Sequence, residues 1–177
     1  VGGHCLAVDP WFIVESAPEK AKIIELSRNI NDSMPEFVVR NVKEILFGVG
    51  DPKISIFGIT YKGNVDDLRE SPVLEIIEIF ESENIDLGIY DPHITEPQKS
   101  EYGLSELEES VSGSDIIIIG ADHNEFEDID PEKLASKMRN TKVYDTKNIL
   151  DKARWEKAGF KVIKIGDYSD YDWQKEY

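Results

Sequence analysis

From residue 54 to residue 165 the sequence alternates between short apolar runs and helical patterns, and few folds accept that order. Ile54–Ile59 is a short apolar run bounded by turn residues, and with Ile85–Tyr90, Ile116–Ile119, Val143-Tyr144 and Lys161–Ile165 it predicts five short strands. Between them, Ser71-Pro72 opens a helix with Leu74, Ile77 and Phe80 on one face. Asp130 caps a helix over Pro131–Met138, and Asp151–Ala158 is a helix stopped by Gly159. Runs that are apolar throughout need cover on both faces, and strands in alternation with helices supply it. The expected fold is therefore α/β, a Rossmann-like doubly wound parallel sheet.

The first fifty residues read differently. Asp9-Pro10 suggests an N-cap and first helical position. Ile23, Leu26, Ile30, Met34, Phe37, Val38, Val42 and Ile45 then recur at steps of three and four, the stripe of an amphipathic helix that Pro35 should kink or restart. Such a stripe packs either inside its own chain or against a second subunit, and a homodimer through helix 21–46 is the expectation. Gly48, Gly50, Asp51 and Pro52 punctuate the chain, which places a boundary between a helical segment, 1–50, and an α/β domain, 51–177. The chain opens on a glycine loop at Val1, and a loop is positioned by elements on both sides, so a preceding element is expected outside this sequence.

Charge removes several function classes. With 36 acidic against 20 basic residues the formal charge is −16, and the basic residues form no stripe, so no nucleic-acid partner is expected. No apolar run approaches a bilayer span and no signal-peptide pattern opens the chain, which gives a cytoplasmic protein with no membrane partner. Cys5 is alone, and His4, His93 and His123 show no ligand spacing, so no metal site is predicted.

The doubly wound pattern calls for a dinucleotide fingerprint, which is missing: the first strand-to-helix crossing reads "GITYKGNVDDLRESP", with no G-x-G-x-x-G. Asp91 reads as a turn residue before Pro92, with a ribose ligand as the lesser alternative. Lys62, Asp66, Asp67, Arg69 and Glu70 crowd the carboxyl end of the first strand, where open α/β sheets bind ligands and where Lys and Arg suit phosphate oxygens. A self-neutralising surface loop explains the same charges. Cys5 is either a small buried side chain or a nucleophile; glycine neighbours, His4 and a helix amino end four residues on favour a thiolate. Asp9 is either a plain cap or a carboxylate that handles a proton beside that thiol. The tail "DYSDYDWQKEY" is acidic and aromatic, without periodicity.

"VGGHCLAVDPWF", "RNINDSMPEFVV", "YKGNVDDLRESPVLEI", "YDPHI" and "YDTKNIL" occur in the order and spacing of the nucleotide-sugar 6-dehydrogenases, and the chain resembles the UDP-glucose/GDP-mannose dehydrogenase family up to about Gly166. The resemblance implies an NAD-dependent enzyme in which the first of three domains binds most of the NAD, the second is helical and dimerises, and the third holds a UDP-sugar. By the resemblance this chain holds the end of the second and all of the third. It implies that Cys5 is the nucleophile carrying the sugar through a thiohemiacetal and a thioester, with Asp9 managing water and protons. It implies Gly2, Tyr61 and Lys62 at the substrate and Arg69 at the cofactor. Lys147 stands where many members have an arginine, keeping the charge but losing the bidentate fork. Gly63 stands where a proline is frequent, which is expected only to loosen the turn. On "GGHC-x-AVDPWF" together with "DDLRESP", the resemblance implies UDP-N-acetyl-D-mannosamine as the sugar, with UDP-glucose the alternative. A stand-alone α/β nucleotide-binding or interaction module is the reading from another class.

Overall fold

The computed structural model describes residues 2–167. Three helices come first: α1 (Asp9–Ser16), α2 (Lys22–Asp32) and α3 (Met34–Ile45). The alternation follows as β1 (Lys53–Phe57), α4 (Pro72–Ser82), β2 (Asp86–Tyr90), α5 (Gln98–Glu101), α6 (Leu107–Ser110), β3 (Ile116–Ile119), a 3-10 turn (Asn124–Phe126), α7 (Pro131–Ala135), β4 (Lys142–Asp145), α8 (Lys152–Lys157) and β5 (Lys161–Lys164). The strands form one sheet, ordered β2-β1-β3-β4-β5, in which every neighbouring pair is parallel. The expected α/β class and its strands are borne out. The acidic tail falls outside the described residues from 168 onward.

The period of two along each strand divides the core. Ile54, Ile56, Ile116, Ile118 and Tyr144 face a cluster that includes Val38, Val42, Ile77 and Phe80 from α3 and α4. Phe57, Ile117, Ile119 and Val143 face the other cluster, with Phe126, Leu134 and Trp155. Small residues set how closely α6 approaches: Ser55 Oγ donates to Ser110 O at 2.7 Å, and a Cβ on Gly88 would lie 1.9 Å from that oxygen. Ser71, Asp130 and Asp151 each accept a backbone N–H at the start of α4, α7 and α8.

Two expectations about the amino-terminal segment need correction. Asp9 is not the N-cap: Val8 holds that position, and Asp9 lies in the first turn. The winding has already begun upstream, because Asp9 N donates to Cys5 O at 2.8 Å and Val8 N to the same oxygen at 3.1 Å. Nor is there one helix from 21 to 46 with a continuous buried stripe. The helix restarts after Ser33, where Pro35 fixes φ and has no amide to continue the ladder. Below the break the stripe is buried on the sheet, with Val38 at 5% and Val42 at 0% exposure; above it Ile23, Leu26 and Ile30 are 81%, 59% and 57% exposed. At roughly 2 kcal/mol per enclosed aliphatic side chain, Val38, Val39, Val42 and Leu46 pin α3 to the α/β core, whereas α2 has no comparable anchor.

Candidate active site

In a parallel sheet all carboxyl ends lie on one edge, and the strand order reverses direction between β1 and β3. Beside that reversal is a cavity of about 280 Å3, lined by Thr60 and Tyr61 beyond β1, Gly120 beyond β3, Thr146 and Lys147 beyond β4, and Asn31 and Pro35 from the α2–α3 break. This is where open α/β sheets take ligands. A second cavity, about 400 Å3, adjoins it through Asn31, Pro35 and Pro72, and is lined by Gly2 and by the carboxylates of Asp32, Glu70, Glu75 and Glu78. Burial, and then the neighbouring carboxylates, push the Glu75 pKa up. The carboxylates there repel an anion, whereas the neighbouring cavity is lined by the cation of Lys147.

Glycines dock the cysteine loop onto the rim of these cavities. A Cβ on Gly2 would stand 2.1 Å from Glu70 O, and Gly3, at φ +92°, brings its backbone so close to Tyr61 that a Cβ would meet the ring at 2.8 Å. Gly3 N also donates to Glu70 O at 3.3 Å. From the other side, the buried Arg28 donates through Nη1 to Leu6 O at 3.0 Å and pairs with Asp32. The loop is thus fixed through its backbone while its side chains stay free: Cys5 is exposed, with Sγ 3.7 Å from His4 Nδ1. Asp9 is exposed one helical turn on.

Tyr61, half-buried, lines the cavity, and so does the exposed Lys147, whose backbone is set by the buried Asp145 carboxylate accepting the N–H groups of Lys147, Asn148 and Leu150 at 3.0, 2.7 and 2.9 Å. The exposed Lys62 side chain does not line it; what the loop uses is the Lys62 carbonyl, which accepts from Thr60 Oγ1 at 2.8 Å. The exposed Arg69 grips Asp67, with Nη2 2.6 Å and Nε 2.9 Å from its carboxylate oxygens. That bond, then the Arg69 backbone amide, hold the Asp67 pKa down to about 2.

Gly63 does not loosen its turn. It is buried, its N–H donates to Asp122 Oδ1 at 2.7 Å, and a Cβ would be 2.1 Å from Asp122 O, so it draws the loop against β3's end. Asp91 is more than a turn residue. Its buried carboxylate accepts Ile59 N at 2.7 Å and His93 N at 2.8 Å, and meets His123 Nε2 at 3.1 Å. Burial pushes its pKa up, but the His123 bond and the two amides outweigh it and the net direction is down. With three bonds made and only 5% of its surface exposed, Asp91 is poorly placed to reach a ribose. With no glycine fingerprint at the β1–α4 crossing either, the described residues do not form a dinucleotide cradle.

Sequence spacing missed the meeting of His93 and His123, which stack with ring centroids 4.5 Å apart, and with Glu125 place three ligand atoms within 4.8 Å. Both His123 nitrogens are already engaged, Nδ1 with Asn64 N at 2.9 Å and Nε2 with Asp91, so the trio does not offer three free lone pairs. Also missed were Thr60, Asn31, Arg28 and the Asp122–Asn124 segment. Arg28 and Asn31 lie in the quoted stretch "RNINDSMPEFVV", and the last shows a polar cluster following "IIIIG" at a strand's carboxyl end.

An open parallel sheet, with a cavity at its switch point and a cysteine loop docked on the rim, defines an α/β ligand-binding domain carrying part of a second site. A family model described as the UDP-binding domain of the UDP-glucose/GDP-mannose dehydrogenase family matches residues 55–152. The chain belongs to that family. A UDP-N-acetyl-D-mannosamine dehydrogenase of Methanocaldococcus jannaschii is 47% identical over 171 residues, which is 94% of this chain and 39% of that protein. An NDP-N-acetyl-D-galactosaminuronic acid dehydrogenase of Ralstonia nicotianae is 38% identical over 157 residues, 87% of this chain and 36% of the relative. Among solved structures, the UDP-D-ManNAc dehydrogenase of Pyrococcus horikoshii superposes with a TM-score of 0.82 at 33% identity, covering 94% of this chain and 38% of the other. The chain thus spans about two fifths of the length of these relatives. Among the described residues, no helix is long and apolar enough to cross a membrane.

Proposed function

We propose that this chain supplies the UDP-sugar site and the nucleophile of an NAD-dependent nucleotide-sugar 6-dehydrogenase that oxidises UDP-N-acetyl-D-mannosamine to its uronate, a precursor for polysaccharide synthesis. The observation that carries the reading is the docking of the exposed Cys5 loop, through Gly2 and Gly3, against Glu70 and Tyr61 on the rim of the cavity at the switch point. Similarity to the archaeal relatives named for this sugar favours it over UDP-glucose.

In this reading the nucleotide end lies along the cavity, with the sugar's C6 directed to the Cys5 loop. Gly2 and Tyr61 shape the passage, Lys147 balances the diphosphate charge from the cavity wall, and Lys62, outside that wall, adds to it from the loop next to Tyr61. NAD, when bound, accepts the hydrides; since the described residues make no cradle for it, Arg69 is this chain's proposed contact with it. What Cys5 contributes is a bond. As its sulfur bonds to the aldehyde carbon at C6 the C=O π bond breaks, and the carbonyl oxygen takes the proton that the thiol gave up, becoming the hydroxyl of a thiohemiacetal. At the later thioester, water adds to the same carbon, the C–S bond breaks and the thiolate leaves, with Asp9 taking a proton from the water. The division at 50/51, a homodimer through the 21–46 region, a cytoplasmic location and the inactivity of this chain by itself belong to the same proposal.

The test is NADH formation by the full-length gene product with UDP-N-acetyl-D-mannosamine or UDP-glucose, run beside Cys5→Ser. Turnover on the first sugar, abolished in the variant, is the expected result. Turnover on UDP-glucose alone changes the substrate, while retained activity in Cys5→Ser removes the nucleophile.

A further inference from the structure

We infer that His123 is a positioning residue for the substrate: it clasps the loop carrying Tyr61 and Lys62 to the end of β3, and so sets the affinity for the nucleotide. The inference rests on the functional reading that the cavity at Tyr61 and Lys147 receives the UDP moiety.

The loop from 58 to 64 has little of its own to hold it. It leaves β1 with Gly58 at φ +81° and ends with Asn64 at φ +60°, and has no helix or strand between. Its first half is tied by Gly58 N to Tyr90 O at 2.8 Å and by Tyr61 N to Asp67 O at 3.2 Å, and its second half by residues 122–124. Gly63 N donates to Asp122 Oδ1 at 2.7 Å, Asn64 N to His123 Nδ1 at 2.9 Å, Asn64 Nδ2 to Asn124 Oδ1 at 3.1 Å, and Asn124 N back to Asn64 Oδ1 at 3.0 Å. Two backbone amides and one side-chain amide of the loop are thereby satisfied by three consecutive residues.

The protons around His123 can be assigned from their partners. Asn64 N–H points at Nδ1, so Nδ1 carries a lone pair and the proton of the neutral ring is on Nε2. That N–H faces Asp91 Oδ2 at 3.1 Å and Thr60 Oγ1 at 3.3 Å. Thr60 can accept because its own proton goes to Lys62 O at 2.8 Å. Asp91 in turn takes Ile59 N. One buried ring therefore touches, directly or through one partner, Ile59, Thr60, Lys62 and Asn64, with Tyr61 between them. The ring is fully buried and its plane is fixed by Phe126 edge-on at 5.1 Å and by the stacked His93. Nothing in this network needs His123 to reach the ligand, which is why its role is positioning rather than catalysis.

The experiment uses the full-length protein and two readouts, UDP affinity by calorimetry and steady-state kinetics on the nucleotide sugar. His123→Phe keeps an aromatic ring against Phe126 and His93 but removes both nitrogens. A net hydrogen bond corresponds to roughly a tenfold change in an equilibrium constant, so the expected result is a Kd for UDP and a KM raised about tenfold or more, with kcat within about threefold. His123→Asn, whose amide oxygen can take the place of Nδ1 as acceptor for Asn64 N, should recover most of the lost affinity, a rescue that volume alone does not provide. Asn64→Gly keeps the left-handed backbone and the N–H and loses only the bonds to Asn124; about a threefold weakening is expected. UDP affinity within twofold of wild type in folded His123→Phe, or, if that variant does not fold, in Thr60→Val, which removes the hydroxyl joining the His123 ring to Lys62 O, overturns the inference and leaves the functional reading standing. A wild-type protein that neither binds UDP nor oxidises a nucleotide sugar removes both.

Discussion

Helices α2 and α3 carry the same apolar periodicity on either side of Pro35, and they have opposite fates. Val38 and Val42 of α3 are enclosed by the sheet and α4, while Ile23, Leu26 and Ile30 of α2 face outward. What separates them is not pattern but what lies opposite. Residues of the sheet and of α4 lie against the stripe of α3 and none encloses that of α2, so a similar stripe is core in one helix and open surface in the other. The difference extends to function: α3 contributes Pro35 and Val38 to the wall of the cavity at the switch point, whereas α2 holds the Cys5 loop through Arg28.

That contrast can be broken by a double dissociation. Cys5→Ser should lower turnover of the full-length enzyme on the order of a thousandfold or more and leave its melting temperature unchanged, as measured by NADH formation and calorimetry. Equal losses of activity and stability would mean that Cys5 belongs to the core after all. Phe80→Ala, in the fully buried side chain that α4 places in the shared core, should destabilise by about 3–5 kcal/mol in denaturant unfolding. A loss under about 1 kcal/mol would mean that this side of the sheet packs loosely, and the contrast with α2 would lose its basis.

The open face of α2 sharpens the comparison next. If it pairs with its copy in a dimer, Ile23→Asp with Ile30→Asp should weaken association by about 2–3 kcal/mol, seen as concentration-dependent dissociation in sedimentation, while changing the melting of the α/β core little. A monomeric wild type, or an unaffected variant dimer, would assign the stripe to another partner. The smallest effect concerns the exposed pair at the rim. Arg69 holds the Asp67 carboxyl at about 2, below its ordinary 3.8. The stabilisation from this pair is complete above about pH 3.8 and is lost as the pH falls through about 2, so it is constant across the neutral range. A carboxyl NMR titration should place the Asp67 midpoint near 2 in the wild type and higher in Arg69→Gln, though still below 3.8 because the backbone amide of residue 69 continues to donate; no difference would show that the side-chain pair does not persist in solution.

Much of the α/β half was legible because each of its signals is local. A run such as "IIII" is satisfied only by burial on both faces, and Ser71, Asp130 and Asp151 cap helices through amides two or three residues away. The candidate site was legible only in part. Cys5, Tyr61 and Lys147 stood out by type and place, and the family resemblance gathered them. Arg28, Thr60 and His123 act on residues 22, 2 and 59 to 63 positions distant or through neighbours on other strands, and no periodicity reports such contacts. Asp9 was misplaced as a cap because the turn beginning at Cys5 O is a backbone event, indifferent to side-chain identity.

By itself the sequence determined the order and kind of the elements, the apolar stripes, the restart at Pro35 and the absence of a glycine fingerprint, since all of these follow from side-chain volume, backbone freedom and hydrogen-bonding groups close along the chain. Only the tertiary structure decided which stripe is enclosed, that Gly63 tightens its turn, that Asp91 is spent on His123 and two amides, and that the Cys5 loop rests on Tyr61. These depend on which groups meet across the carboxyl edge of the sheet, and parallel strand order brings together there residues that the sequence holds far apart.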